Sequence, residues 1–215
     1  MLDIEQLDVS IGTVNVLRGV DMQVGDGQFV GLIGRNGAGK TTLMRAIMGI
    51  LPPRGGNLSY RGQPLVGVPT HRRARDGIGY MPEDRRLVPA LTVEENVLIP
   101  AWAGKRADAR ERLRQIYRMI PEVESFATRR GLQLSGGQQK LVALARALMS
   151  GTRLLLLDEP FEGVAPVLAR RLSEVIGGLR TEGLSIILTE SDLSHSRDIL
   201  DRVYTIDRGA VSIAV

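Results

Sequence analysis

The residues with the clearest chemical meaning form one glycine-rich segment, Gly34-Arg35-Asn36-Gly37-Ala38-Gly39-Lys40-Thr41-Thr42. Through Thr41 it fits the pattern G-x-x-x-x-G-K-[ST], in which glycines let backbone N–H groups turn inward around phosphates. The lysine of such a loop reaches the β- and γ-phosphates of a nucleotide, and the hydroxyl after it binds Mg²⁺. We therefore predict that this segment binds a nucleotide, that Lys40 acts on its phosphates and that Thr41 is a metal ligand.

A second candidate site is the acid pair Asp158-Glu159, which follows the four consecutive leucines 154–157. An apolar strand that ends in this way delivers Asp158 to the coordination sphere of Mg²⁺. Glu159 then lies one residue further on, where it can orient or deprotonate an attacking water. With the glycine-rich loop, the pair predicts nucleotide hydrolysis, with Lys40 and Glu159 as catalytic groups. The alternative is a strand that merely ends in two solvated acids.

Both sites require strands that end at a common edge of a sheet, and the hydrophobic pattern predicts such strands. Apolar runs at residues 28–33, 153–157 and 184–188 are typical of buried parallel strands. Helices predicted at residues 40–48 and 166–179 alternate with these strands. Alternation of this kind indicates an α/β fold.

The other elements are predicted at the two ends and in the middle of the chain. Strands are expected at residues 2–7, 14–24 and 77–81, helices at 92–99, 107–120 and 139–149, and a C-terminal helix and hairpin at 193–200, 202–206 and 210–215. The predicted fold is therefore an α/β P-loop NTPase core, a mostly parallel sheet with flanking helices. An N-terminal antiparallel β layer and a helical subdomain are added to it.

Composition excludes several classes of protein. There is no cysteine and there are only two histidines, so disulfides, a thiol nucleophile and a cysteine- or histidine-rich metal site are excluded. The acidic N-terminus does not resemble a signal peptide, and no apolar run reaches the ~20 residues that span a bilayer. The net charge of +4 lies entirely in residues 82–150, where 12 basic and 8 acidic residues are interleaved. We expect a soluble, cytoplasmic protein that does not bind nucleic acid.

A third motif lies between the other two, Leu134-Ser135-Gly136-Gly137-Gln138, and its serine precedes Asp158 by 23 residues. This segment, together with Lys40 and the acid pair, carries a resemblance to the ABC-type ATPases that extends over essentially the whole chain. The resemblance implies that ATP and Mg²⁺ are the cofactors and that the ATPase works as a pair. Ser135, Gly136, Gly137 and Gln138 of one copy would then contact ATP held by the other, which suits a helix N-terminus facing an anion.

The resemblance also implies an organisation of the chain. Residues 1–215 would form one nucleotide-binding domain, with a catalytic lobe of residues 1–81 and 151–215 and a helical lobe of residues 82–150.

Three further segments are similar to the ATP-binding subunits of branched-chain amino acid importers: residues 82–86, 91–96 and 158–166. This similarity implies a peripheral subunit on the inner face of the plasma membrane. It would power uptake of a branched-chain amino acid or similar small polar solute through separate permease subunits, contacted by residues 82–104. It would dimerise with itself or with a similar subunit. The alternatives are a weakly hydrolysing subunit of a heterodimeric transporter and a soluble ABC ATPase with no role in transport.

Four positions differ from the common ABC pattern: Ile11, Glu83, Ala165 and Ser191. Ile11 replaces the aromatic residue that stacks on adenine, and Glu83 replaces a glutamine that binds Mg²⁺. Ala165 replaces an aspartate, as in the branched-chain group. Ser191 takes the place of the switch histidine, and because serine cannot carry a positive charge, weak hydrolysis remains an alternative.

Four other predictions concern residues outside these motifs. His195, one helical turn after the switch position, is expected to be solvated or to cap a helix. Trp102 is expected to pack in the core or between lobes. Arg72, Arg73 and Arg75 are expected to form a solvated face, while Arg85 and Arg86 are candidates for partner contact.

Overall fold

The structure is a computed structural model that describes residues 1–214 of the chain. Its strands are β1 (Leu2–Ile11), β2 (Val14–Val24), β3 (Phe29–Ile33), β4 (Gly55–Tyr60), β5 (Gln63–Pro64), β6 (Ile78–Met81), β7 (Leu154–Asp158), β8 (Ser185–Glu190), β9 (Arg202–Asp207) and β10 (Ala210–Ile213). Its α-helices are α1 (Lys40–Ile47), α2 (Thr70–Arg75), α3 (Val93–Gly104), α4 (Ala109–Met119), α5 (Pro121–Ser125), α6 (Gly136–Ser150) and α7 (Pro166–Gly178).

The strands form two sheets. One is antiparallel, with the order β2-β1-β4-β5, and the other has the order β10-β9-β3-β8-β7-β6. In the second sheet every neighbouring pair is parallel except β9 and β10. The predicted fold class, a mostly parallel sheet with flanking helices and an N-terminal antiparallel layer, is confirmed.

The leucine run of β7 shows why this sheet is buried on both faces. Successive side chains of a strand point to opposite faces, and here each face meets a different core. Leu154 and Leu156 join the core that contains α1 and the antiparallel sheet, whereas Leu155 and Leu157 join the core that contains α3 and α6. All four leucines are fully buried, and each contributes about 1.5–3 kcal/mol on burial.

Between β6 and β7 the chain is helical, and the three helices predicted there are present as α3, α4 and α6. Two of them begin with a capping box, in which side chain and backbone satisfy each other's free N–H groups. At α3 the Thr92 hydroxyl accepts from the backbone N–H of Glu95 at 3.2 Å. At α6 the Ser135 hydroxyl accepts from the backbone N–H of Gln138 at 3.3 Å, so α6 starts three residues earlier than predicted.

The prediction of a helix at residues 193–200 is wrong, because side chains compete there for the backbone. The Asp192 carboxylate accepts from the backbone N–H of Ser194 at 2.8 Å, and the Ser196 hydroxyl donates to Glu190. Only a 3₁₀ turn, Arg197–Ile199, forms in this segment. The last predicted strand is observed as β10, and Val215 lies outside the described residues.

The burial of two side chains differs from the prediction. Trp102, expected to pack in the core or between lobes, is 54% exposed near the end of α3. Arg73, expected on a solvated face, is only 2% exposed, whereas Arg72 and Arg75 are exposed as predicted. Arg73 lies on α2, a helix that the sequence pattern did not indicate. No helix in residues 1–214 is both long enough and apolar enough to cross a membrane.

Candidate active site

The glycine-rich loop joins β3 to α1 and wraps around the side chain of Lys40. Gly37 and Gly39 have φ values of 82° and 118°, a region that only glycine adopts without strain. The Lys40 ammonium donates to the backbone carbonyls of Gly34 and, at 3.2 Å, Arg35. Because Gly39 at the N-cap offers no side chain, the first N–H groups of α1 remain available for an anion.

Lys40 also forms an ion pair with the predicted catalytic acid. Its Nζ lies 2.9 Å from Oε1 of Glu159, and both side chains are less than a tenth exposed. Glu159 has a φ of 47°, which is strained for a residue with a side chain. Its backbone N–H donates to the Thr189 hydroxyl at 3.0 Å. A phosphate that binds Lys40 therefore competes with Glu159 and frees its carboxylate.

Asp158 is fully buried and accepts three hydrogen bonds from hydroxyl groups. The donors are Thr41 at 3.2 Å, Thr189 at 3.0 Å and Tyr80 at 3.1 Å. Burial raises the pKa of Asp158, and these three hydrogen bonds partly offset that effect. The two predicted metal ligands Thr41 and Asp158 are thus adjacent, although 117 residues separate them in the sequence.

A cavity of about 290 Å³ opens in front of these groups. It is lined by Val16, Asn36, Gly37, Gly39, Lys40, Thr41, Thr42, Glu83 and Glu159. Most of the predicted loop residues and Glu83 therefore share one cavity. Ile11 is not among its lining residues; it is 49% exposed at the end of β1.

Glu83 lies among other acids at the edge of this cavity. Burial raises its pKa, and the negative charges of Glu162 and Asp158 raise it further. Such crowding of carboxylates is relieved by a cation. Within residues 1–214, no group of three or more His, Cys, Asp or Glu side chains could hold a metal by itself. The residues present fit Mg²⁺, which is commonly bound by one or two protein oxygens together with substrate phosphates.

Ser191 lies beside both the loop and the acid. Its hydroxyl is 3.2 Å from Oδ1 of Asn36 and 3.4 Å from Oε1 of Glu159. A hydroxyl has one proton to donate, so it serves one of these acceptors at a time. His195 is exposed, and its ring packs at a tilt on Phe161, with centroids 5.3 Å apart. Neither His195 nor Ser191 lines the cavity, and of the two it is Ser191 that lies within hydrogen-bond distance of Glu159.

The third motif lies apart from this cavity. Ser135 and Gly136 are exposed at the N-terminus of α6, and Gly137 and Gln138 are half-buried. None of the four lines the cavity that contains Lys40. The motif therefore lies at an exposed, side-chain-capped helix N-terminus that does not reach the cavity containing Lys40.

Three residues that the sequence analysis missed complete the site: Val16, Tyr80 and Thr189. Thr189 is paired in register with Asp158 across β7 and β8, and it is a polar residue in an apolar strand. That signal was available in the sequence. Nothing in the local pattern distinguishes Val16, which lines the cavity, or Tyr80, which reaches Asp158 through the pairing of β6 with β7.

The comparisons with known proteins decide the family. Residues 17–162 match the family described as ABC transporter. The chain belongs to the ABC transporter family. It is 35% identical to the high-affinity branched-chain amino acid transport ATP-binding protein BraG of Pseudomonas aeruginosa, over 98% of this chain and 91% of that protein. It is 32% identical to the lipopolysaccharide export system ATP-binding protein LptB of Haemophilus influenzae, over 98% of this chain and 88% of that protein.

Solved ABC cassettes have the same fold. A nucleotide-free ATP-binding cassette from an ABC transporter has a TM-score of 0.86 at 27% identity, covering 98% of this chain and 89% of that one. The dimeric post-hydrolysis state of the cassette MJ0796, bound to ADP and Pi, has a TM-score of 0.88 at 25% identity, covering 99% and 97%. The predicted family and ATPase activity are confirmed, and this ABC protein is the ATP-binding, ATP-hydrolysing subunit of a transporter.

The pH dependence of stability should report on Glu190, a buried carboxyl at the end of β8. Its pKa is raised to about 7, mainly by desolvation. The charges of Asp192 and Glu159 also raise the pKa, and the hydrogen bond from the Ser196 hydroxyl partly offsets these effects. Because this pKa exceeds the ordinary value of 4.5, folding retains a proton that the unfolded chain releases between these pH values. The resulting stabilisation is complete below about pH 4.5 and is lost as the pH rises through about 7.

Urea denaturation at several pH values checks this prediction. Between about pH 4.5 and 8, the free energy of unfolding of the wild type should fall by on the order of 2–3 kcal/mol relative to Glu190→Gln. Comparison with this variant cancels the contribution of Asp158, whose pKa is also raised. Parallel pH profiles for the two proteins would contradict the prediction.

Replacement of Ser191 should have a moderate effect on turnover. Ser191→Ala removes the long, 3.4 Å hydrogen bond to the Glu159 carboxylate, which contributes about 1 kcal/mol, so we expect kcat to fall about fivefold. Ser191→His introduces a group that can carry positive charge near the phosphates, and it should at least restore wild-type kcat. Steady-state phosphate release measures both variants. An unchanged kcat for Ser191→Ala would show that the hydroxyl takes no part in turnover.

Proposed function

We propose that this ABC ATPase powers import of a branched-chain amino acid, or a similar small polar solute, through separate permease subunits. The observation that carries the proposal is the similarity to BraG along almost the whole chain. Residues 158–166 add a second resemblance to the branched-chain group. In this segment Ala165 replaces the aspartate of the common ABC pattern. The protein would lie peripherally on the inner face of the membrane that contains the permease.

In the proposed mechanism each group at the cavity has one role. The loop from Gly34 to Thr42 and the side chain of Lys40 bind the phosphates. Thr41, Asp158 and Glu83 would hold Mg²⁺, which would neutralise negative charge on the phosphates. Glu159, released from Lys40, accepts the proton of the attacking water. Ser191 orients Glu159 through its hydroxyl, and the apolar side chain of Val16 covers the base; Ile11, which does not line the cavity, would reach the base only from outside it.

The catalytic unit would be a dimer, of this chain with itself or with a similar subunit. Ser135, Gly136, Gly137 and Gln138 are accessible at a helix N-terminus but do not reach the cavity of their own chain. A second copy whose cavity faces this N-terminus supplies the anion that it is suited to bind. The dimeric structure of MJ0796, a similar cassette, supports the arrangement.

We also propose that the chain is a single nucleotide-binding domain of two lobes. The catalytic lobe comprises residues 1–81 and 151–215, and the helical lobe comprises residues 82–150. The position of α3 to α6 between β6 and β7 supports this division. The lobe boundary then passes next to Glu83, so that a movement between lobes changes the nucleotide site.

We propose that the permease contacts residues 82–104 and a cavity beside the C-terminal end of this region. This cavity, of about 580 Å³, is lined partly by Pro100, Ala103 and Gly104, with Arg75 and Arg153 also facing it. A short helix of the permease is the proposed occupant, because the cavity lining combines apolar residues such as Pro100 and Met149 with charged ones such as Arg153. The exposed Trp102 lies on the same helix, α3.

The arginines first considered for this contact are engaged within the chain. Arg85 donates to the Gln139 side chain at 3.1 Å, and Arg86 pairs with Asp84 at 2.8 Å. Arg86 remains exposed, so it is still accessible to a partner.

Uptake measurements test the proposed direction and solute. A strain that lacks the chain should take up labelled leucine, isoleucine and valine slowly. Wild-type protein should restore uptake, whereas Glu159→Gln at equal abundance should not. Unchanged uptake in the deletion strain would contradict the proposal. The similarity to LptB favours one other function, lipopolysaccharide export, and loss of lipopolysaccharide from the cell surface in the same strain would support that function instead.

A further inference from the structure

Lys140, on the second turn of α6, is a buried cation without an acidic partner. It is 1% exposed, and no ion pair to it occurs within the part of the chain that the structure describes. Its ammonium instead donates to two backbone carbonyls, of Glu159 at 2.7 Å and of Glu83 at 3.3 Å. Burial lowers its pKa. Burying a cation in this way is costly, and an apolar side chain would fill the same space without that cost.

The first of these contacts fixes the backbone of the catalytic acid. Glu159 has a left-handed backbone with a φ of 47°, a strained conformation that must be held by its surroundings. Its N–H is held by Thr189 and its carbonyl by Lys140. Thr189 belongs to the sheet, whereas Lys140 belongs to α6. Movement of α6 therefore acts directly on the backbone that aims the Glu159 carboxylate.

The second contact is part of a wider attachment between α6 and the loop that begins at Glu83. Arg85 and Arg86, on this loop, also have left-handed φ values of 61° and 50°. Arg146 of α6 donates to the backbone carbonyls of both, and Arg85 donates to the Gln139 side chain at 3.1 Å. The strained loop is thus held from three positions on one helix. Because Glu83 lines the nucleotide cavity, α6 contacts two elements of that cavity through side chains buried behind it.

We propose that Lys140 is a positioning residue that couples the two ATP sites of the dimer. The inference rests on the proposed function, in which Ser135 at the start of α6 contacts ATP held by the other copy. Lys140 lies five residues along the same helix, about 7.5 Å from that contact. ATP that engages the N-terminus of α6 fixes the position of the helix. Lys140 then sets the backbone of Glu159 and Glu83 in its own chain, so that occupation of one site prepares the other for hydrolysis.

Lys140→Met tests the proposal, because methionine fills the buried space but cannot donate. We expect kcat to fall at least tenfold while the Kd for a fluorescent ATP analogue, measured on dilute monomer, stays within twofold. We also expect the Hill coefficient for ATP in steady-state turnover to fall from near 2 to near 1. Lys140→Arg, which keeps the donors, should recover most of both. The matched control Lys105→Met, at an exposed lysine after α3, should match the wild type.

The outcomes separate the inference from the function on which it rests. If the wild type dimerises with ATP, and Lys140→Met lowers kcat but keeps the Hill coefficient, Lys140 is only structural and the inference is wrong. If the wild type stays monomeric with ATP, the paired function fails and the inference fails with it. Should Lys140→Met not fold, Arg85→Met removes only the bond to Gln139. That variant should lower the Hill coefficient with an unchanged Kd, and an unchanged Hill coefficient would overturn the coupling.

Discussion

Glu159→Gln is expected to lower ATP turnover by 10²-fold or more, the range that loss of a positioned general base produces. The amide keeps the size of the side chain but cannot accept the proton of the attacking water. It also cannot form the 2.9 Å ion pair with Lys40 that occupies the site before nucleotide binds. The same variant should therefore bind ATP more tightly than the wild type, since phosphate no longer competes with a carboxylate for the lysine.

Two measurements check this prediction on purified protein with Mg²⁺. Phosphate release gives the loss of turnover, and titration with a fluorescent ATP analogue gives the change in Kd. Gel filtration should in addition show a longer-lived dimer with ATP, because the nucleotide that joins the copies is no longer hydrolysed. Glu174→Gln, the same change at an exposed position of α7, is the control and should leave all three unchanged. Residual turnover above a tenth of the wild-type rate would show that another group removes the proton.

Arg73→Met is expected to reduce the free energy of unfolding by about 3–5 kcal/mol, because it removes the donors to buried backbone carbonyls. The guanidinium donates to the carbonyls of Ala46 at 3.0 Å and Ile47 at 2.7 Å, at the C-terminus of α1. It also donates to the carbonyls of Leu65 at 2.6 Å and Val68 at 2.8 Å. Methionine would leave the carbonyls of Ile47 and Val68 without these donors, each at a cost of about 1–3 kcal/mol, whereas the carbonyls of Ala46 and Leu65 keep a backbone N–H donor.

The affected helix, α1, begins at Lys40 and carries the phosphate-binding N–H groups, so ATP affinity should also fall. Urea denaturation of Arg73→Met beside Arg72→Met measures the loss of stability. Arg72 is exposed on the same helix, and its replacement should change the free energy of unfolding by no more than about 0.5 kcal/mol. Equal stabilities for the two variants would contradict the role assigned to the Arg73 guanidinium.

Local patterns predicted most of the fold and the candidate catalytic groups. The loop around Lys40 and the acid pair are contiguous motifs, because neighbouring residues must act on one phosphate or one metal. The run 154–157 predicted a buried strand because a strand covered on both faces is apolar throughout. In each case the chemistry is short-range along the chain, so the spacing of residue types alone was sufficient.

Only the tertiary structure decided which distant groups support that chemistry. Arg73 has the residue type and the neighbours of a solvated face, and only the folded chain places it against the carbonyls of another helix. Residues 193–200 have helical spacing, but side-chain bonds at Asp192 and Ser196 prevent the helix. Thr189 and Lys140 reach Glu159 through strand pairing and helix packing. Such contacts depend on where elements far apart in sequence meet, and that is set by the packing of the whole core.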